Sequence, residues 1–186
     1  IVLPQHGYLE GVRRLTKQYG VILILDETHT ICAGTQGASR LWGIDADMLV
    51  IGKTIGGGIP VAAYGMSSEV AVKVEALMHG HDLDVSGIGG TLSGSALAGA
   101  AIRATLTHAL RQEDFDIAIP LATRWSTGVQ AIIDQHDLPW TVQQLGCRAE
   151  YWFSEHPQNG AQAAASVNDG LESFMHLYAL NRGILL

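Results

Sequence analysis

Nowhere in this chain does an apolar run approach the roughly 18 residues that a membrane-spanning helix needs. No basic stretch followed by an apolar core marks an export signal either. Cysteine is scarce. The two present, Cys32 and Cys147, lie far apart and without CxxC spacing. Free thiols in a reducing, cytoplasmic compartment are therefore the expectation. Positive charge is also in short supply: 11 Lys and Arg face 18 Asp and Glu, a net charge of −7. Neither a nucleic-acid partner nor an anionic membrane surface fits that balance. Internal repeats and low-complexity tracts are absent. What the 186 residues do hold is apolar content, 47% against 16% charged. That suffices for one ordinary domain, or for a large and a small unit, and argues against disorder.

The apolar residues recur with two periods. Tyr8, Val12, Leu15 and Tyr19 share one face of a helix over 8–19, and Gly20 follows as its stop. The continuous apolar run 21–25 predicts a strand covered on both faces, and a second such strand spans 47–51. Between them, 27–43 reads as loop with one helical turn. A glycine turn leads to a strand over 61–66, after which Ser67 or Ser68 caps a helix carrying Val70, Val74 and Leu77. Residues 79–94, rich in glycine and histidine, form a loop, and an alanine-rich helix occupies 95–112. A new helix starts at Pro120, with Leu121, Trp125, Val129, Ile132 and Ile133 on its buried face. Alternation of Leu145, Cys147, Ala149, Tyr151 and Phe153 predicts a half-exposed antiparallel strand. Leu171, Phe174, Met175 and Tyr178 define a last helix, stopped by Gly183. The expected fold is α/β: a mostly parallel sheet with helices on both faces over 1–115, then a separate, smaller α+β unit over 116–186.

Asp26 and Lys53 stand out because each ends one of the two buried-strand runs. Ligands of an open parallel sheet sit beyond the carboxyl ends of its strands. An amine and a carboxylate there suit one molecule of pyridoxal phosphate: the amine forms a Schiff base, and the carboxylate keeps the ring nitrogen protonated. Alone, a strand-terminal Asp more often closes a turn, and a single lysine is usually solvated; the joint placement beside small residues favours function. His29 falls in the same cleft. Nucleotide motifs fail: Asp47 stands where a P-loop needs its first glycine, and Leu92 stands where a dinucleotide fingerprint beginning at Gly87 needs its third. Gly56-Gly57-Gly58 reads equally well as an anion-binding nest or a flexible turn. His79-x-His81 lacks a third ligand at metal-binding spacing, so no metal is expected. Asp26, His29 and Ser93 could mimic a hydrolase triad, but no GxSxG elbow supports it.

The strings ILDETHTICAG, DADMLVIGKTIGGGIPVAAYGMS and GGTLSGSALAGAA resemble the class III (ω-type) aminotransferases, in the branch around glutamate-1-semialdehyde aminomutase. LPQHGYLEGVRRLTKQYGVILILDE, QQLGCRAEYWF and YALNRGILL fit the same branch. The resemblance implies the fold type I of pyridoxal-phosphate transferases and a C-terminal portion of an enzyme more than twice as long. Residues 1–115 would complete the cofactor-binding large domain and 116–186 would form an incomplete small C-terminal domain. By position, Lys53 would carry the cofactor and shuttle the proton, Asp26 would face the pyridine nitrogen, and His29 would lie beside the 3-hydroxyl. Thr91 would reach the phosphate bound by a neighbouring subunit, which implies a homodimer with shared sites. The implied reaction moves an amino group between an amino acid or amine and a keto acid or aldehyde. The alternatives are an aminomutase, which moves it within one skeleton, or a non-catalytic fragment that retains the fold. Ser95-Ala96 departs from the family's Asn-Pro. Arg148 either meets a substrate carboxylate or forms a surface ion pair. Glu27 points away from the side of Asp26 and reads as structural.

Overall fold

A computed structural model describes residues 1–79, 89 and 93–185. They divide into two compact units, one of Pro4–Ala122 with Leu145–Arg148, the other of Ile1–Leu3, Thr123–Gln144 and Ala149–Leu186.

The first unit begins with α1 (Tyr8–Tyr19), which ends where Gly20 takes up a left-handed φ of 63°. Three strands follow: β1 (Ile24–Asp26), β2 (Met48–Gly52) and β3 (Ala62–Met66), in the order β1-β2-β3. β1 and β2 are parallel, with Asp26 opposite Val50, whereas β2 and β3 are antiparallel, with Gly52 opposite Ala62. A mostly parallel sheet was the expectation; the sheet is mixed. The reason lies in connection length. Only a 3₁₀ turn, Lys53–Gly56, and a few further residues join β2 to β3, too short for the crossover a parallel pair requires. The link from β1 to β2 is long enough, and it carries the 3₁₀ turn Thr30–Ala33 and the short α2 (Gly37–Leu41).

β1 is shorter than the apolar run predicts. Residues 21–23 stay outside the ladder: the Val21 N–H donates to the Thr16 carbonyl at the end of α1, and Asp47 claims Leu23, its carboxylate accepting the Leu23 N–H at 2.7 Å and its own N–H donating to the Leu23 carbonyl. The expectation of cover on both faces is also corrected. Among the described residues β1 lies at the edge of the sheet, and Val21, Ile22 and Ile24 are exposed. Arg13 of α1 grips the same Asp47 with a two-pronged bond of 2.7 and 2.9 Å, fixing the helix to the start of β2. Ser67 is the serine that caps α3 (Ser68–His79), accepting the Val70 N–H. Val70, Ile55, Ala38 and Phe115 are buried and mark the core of this unit. α4 (Ala96–His108) follows the segment outside the described residues.

α5 (Gln112–Gln135) begins at Gln112, not at Pro120, and runs through the proline. Its first turn holds Glu113 and Asp114, which suit a helix N-terminus, and Phe115 anchors it in the core. Of the face assigned as buried, Ile133 is buried, while Leu121, Trp125 and Ile132 are exposed among the described residues.

Further along the chain, the single strand predicted over 145–153 is instead part of a hairpin. β4 (Thr141–Leu145) and β5 (Arg148–Trp152) form a two-stranded sheet. The two-residue turn between them needs a positive φ, and Gly146 supplies it at 56°. Phe153 stacks edge-on against Trp140 and lies beside Tyr151, at centroid distances of 4.9 and 5.4 Å. A helix not foreseen, α6 (Gly160–Ala165), is capped by the Asn159 side chain, and α7 (Asp169–Leu180) by Asn168.

Candidate active site

The parallel pairing of β1 with β2 brings two sequence-distant side chains to one edge of the sheet. Asp26 is the last residue of β1, and Lys53 follows immediately on the last residue of β2. Both are exposed. Thr28 lies between them: its N–H donates to Asp26 Oδ1 at 2.9 Å, and its Oγ1 accepts from Lys53 Nζ at 3.3 Å. The Thr28 N–H and hydroxyl, aided by the nearby Lys53 ammonium, hold the Asp26 carboxyl below the usual carboxylate range. A carboxylate kept anionic, an adjacent amine and an open strand edge are the donor set that the base of a pyridoxal ring and its aldehyde call for.

Lys53 has a left-handed φ of 53°, rare for a residue with a side chain. Such a conformation costs about 1–2 kcal/mol and persists only where the surroundings enforce it. Here the enforcement is visible. Gly52 lies close to Thr28 and Ala62, where an added Cβ would sit a tight 3.3–3.4 Å from their side chains. Gly56 is pressed against Val61, and the left-handed Gly57 against Thr105 of α4. The glycines after the lysine therefore serve close packing of the turn.

Glu27 is buried, with 3% exposure, and faces away from Asp26 as strand alternation demands. Its carboxylate accepts the N–H groups of Ala38 at 2.8 Å and Ser39 at 2.6 Å and the Thr30 hydroxyl at 2.8 Å. Burial alone would raise its pKa, but the bonds from Ser39, Thr30 and Ala38 outweigh that, and the carboxyl lies below its ordinary value. It thereby ties the loop that follows Asp26 onto the start of α2.

His29 belongs to the same loop, and its Nδ1 lies 2.6 Å from Arg148 Nη1. Through this contact Arg148 reaches the loop that carries His29. The Gly146-Cys147 turn before it is fastened to the 3₁₀ turn after His29, by the Cys147 N–H to the Cys32 carbonyl at 3.0 Å and by Cys32 Sγ to the Leu145 carbonyl at 3.3 Å. Both thiols are free, and burial pushes each above its ordinary pKa.

The structure thus brings Asp26, His29 and Lys53 into one loop cluster, while Thr91 lies outside the described residues. His81 of the histidine pair is outside them too. Thr28 and the Arg148 contact were missed by sequence reasoning. A signal for Thr28 existed, because an Asp often bonds the backbone two residues on. None existed for Arg148, which comes from the far end of the chain.

The sequence model of the family described as aminotransferase class-III matches residues 1–172. The chain is similar to a glutamate-1-semialdehyde aminomutase of Pseudomonas aeruginosa PAO1 at 40% identity and a TM-score of 0.94, over 100% of this chain and 42% of that one. A variant of that protein was solved in complex with PMP. A glutamate-1-semialdehyde 2,1-aminomutase of Exiguobacterium sibiricum is 35% identical over 100% of this chain and 41% of its own length. An omega-transaminase of Sphaerobacter thermophilus is 26% identical, with a TM-score of 0.79, over 98% of this chain and 41% of that one. The chain spans less than half the length of these relatives. From an α/β sheet that sets an amine and a carboxylate on one edge to a family match over most of its length, the findings agree: the chain belongs to the class-III aminotransferases.

Proposed function

We propose that this chain contributes the lysine side of a pyridoxal-phosphate-dependent site that moves an amino group between small molecules. One observation carries the reading: Asp26 and Lys53 close adjacent parallel strands and are joined through Thr28. When bound, the cofactor supplies an aldehyde that takes up the amine and a ring that accepts electrons released at the substrate carbon. Lys53 Nζ would hold that aldehyde and move a proton at the substrate carbon. Thr28 Oγ1 accepts a hydrogen bond from Nζ and would help orient it. Asp26 would keep the ring nitrogen protonated. His29 would lie beside the ring hydroxyl, and Thr91 would take the phosphate of a neighbouring subunit. The first unit is then the end of a fold type I large domain, and the second is the small C-terminal domain. A homodimer in the cytoplasm completes this reading. No helix among the described residues is long and apolar enough to cross a membrane.

An intramolecular version, moving the amino group within one carbon skeleton, fits at least as well as transfer between two molecules. It is favoured by the aminomutase names of relatives at 35–40% identity. The test uses the intact protein. Added pyridoxal phosphate should give a near-visible absorption band, and hydride reduction should leave the cofactor's mass on the peptide bearing Lys53. Lys53→Ala should abolish both. Retention of the band and of a labelled peptide in that variant would defeat the reading. Conversion of a vicinal amino aldehyde with no separate acceptor selects the aminomutase; a strict need for an acceptor selects the transaminase.

A further inference from the structure

The contact between Arg148 and His29 has a consequence for how the site meets its ligand. A guanidinium has five N–H donors and no acceptor, and it does not deprotonate in proteins. At 2.6 Å from His29 Nδ1, the Arg148 Nη1 group can only donate, so Nδ1 must present its lone pair. The proton of a neutral imidazole then sits on Nε2, the opposite corner of the ring. We propose that Arg148 is a positioning residue that fixes the tautomer of His29, making its Nε2–H a donor toward an anionic oxygen of the ligand held between Asp26 and Lys53.

The geometry behind the arginine is rigid. Arg148 opens β5 directly after the two-residue turn, and that turn is fastened to the Thr30–Ala33 turn by the two bonds joining Cys147 to Cys32 and Cys32 to Leu145. Gly146 packs flat against the Cys32 carbonyl, where no Cβ could fit, and its φ of 56° suits glycine. His29 immediately precedes the same 3₁₀ turn. The two partners are thus mounted on one frame. Fixing the free ring nitrogen through a bond to the other is the usual way a protein chooses a histidine tautomer. A substrate or cofactor oxygen bearing negative charge is the complementary acceptor, and the Arg148 charge behind the ring strengthens that bond. The identity of this oxygen as the cofactor's ring hydroxyl rests on the function proposed above; the tautomer does not.

Histidine-selective ¹⁵N labelling of the intact, cofactor-free protein tests the tautomer directly. Two-bond proton–nitrogen correlations distinguish a protonated from an unprotonated ring nitrogen, and loss of one of the eight histidine patterns in His29→Gln assigns the signal. The expected pattern is Nε2 protonated and Nδ1 bare, turning to an averaged pattern in Arg148→Met. A proton on Nδ1 in the wild type overturns the proposal, as does an unchanged pattern in Arg148→Met. Should Arg148→Met not fold, the wild-type spectrum alone already decides. The second readout is pyridoxal-phosphate affinity. Arg148→Met and His29→Gln should each weaken it about tenfold, the worth of one charge-assisted bond. Together they should weaken it no further than His29→Gln alone. Additive losses overturn the positioning role. Absence of any cofactor binding in the wild type would instead sink the proposed function and leave the tautomer result standing.

Discussion

Removing the Glu27 carboxylate should cost more stability than any other single side-chain change in the loop between β1 and β2. This carboxylate is 3% exposed and accepts three hydrogen bonds, two of them from the backbone of Ala38 and Ser39. Those N–H groups belong to the first turn of α2, which has no other intrahelical acceptor for them. Ala38 itself is fully buried, so water has little access once the carboxylate is gone. Each buried donor left without a partner costs about 1–3 kcal/mol, so Glu27→Ala should lose about 3–5 kcal/mol once the cavity is included. Glu27→Gln keeps one carbonyl oxygen but turns an amide N–H₂ toward the other donor, and should lose about 1–3 kcal/mol. The assay is equilibrium chemical denaturation of wild type and both variants. Its pH dependence is a further check. The folded carboxyl lies below its ordinary value of 4.5. The advantage of the wild type over Glu27→Gln is therefore complete above that value and shrinks as the pH falls through the lower, folded one. Loss of under about 1 kcal/mol in Glu27→Ala, against the full penalty expected for two orphaned donors, would refute the reasoning. So would an advantage over Glu27→Gln that grows on acidification.

Three further outcomes follow from the same geometry. Asp26→Asn keeps a side-chain oxygen for the Thr28 N–H but removes the charge; steady-state turnover should fall by about 10²-fold or more while the denaturation midpoint moves little. Gly146→Ala forces a Cβ onto the Cys32 carbonyl at a left-handed φ; thermal unfolding should show a clear loss of stability and cofactor affinity should drop with it, whereas an unperturbed protein would contradict the packing described. Asp47 is pulled down to about 2 by its bonds from Arg13 and the Leu23 N–H. Its contribution is therefore present above its ordinary value of 3.8 and lost as the pH falls toward 2. Arg13→Met should shift the acid-unfolding midpoint to higher pH, as followed by circular dichroism.

Much of this arrangement was legible before any coordinates, and the gaps have physical causes. Asp26 and Lys53 announced themselves because an apolar run that ends in a charged residue marks a strand end, and parallel neighbours share that edge. The helix stop at Gly20 and a cap at Ser67 or Ser68 were read from local chemistry, and Gly20 and Ser67 fill those places. The strand β3 was read over 61–66, but its antiparallel direction was not, because strand residues carry no mark of direction; only the length of the connection does. α5 overran its predicted start because Pro120 removes a single backbone donor, a loss that burial of Phe115 and an acidic first turn offset. Exposed Val21, Ile22 and Ile24 show the limit of reading burial from hydrophobicity: the residues state a preference for cover, and which atoms supply it is not a local property. Thr28 carried a local signal, whereas the contact of Arg148 with His29 carried none. One works through a turn geometry, the other through a contact between residues more than a hundred positions apart.

The lysine that makes the site useful also strains it, and the two effects can be separated. Its left-handed φ of 53° costs a residue with a Cβ about 1–2 kcal/mol, and glycine adopts it freely. Alanine at this position keeps that strain while discarding the amine and its bond to Thr28. Glycine discards both amine and strain but gives back about 0.5–1 kcal/mol through the freedom of its unfolded chain. Lys53→Gly should therefore unfold at higher denaturant than Lys53→Ala, by about 0.5–1 kcal/mol, with both variants equally devoid of cofactor labelling. Equal stability of the two would mean that the turn relaxes once the lysine is gone, and that its backbone is not held by Gly52, Gly56 and Gly57 in the way their tight contacts imply. A more stable glycine variant would show a turn shaped before the cofactor arrives, with stability given up at the one residue whose amine has to reach across to Asp26's side of the sheet edge.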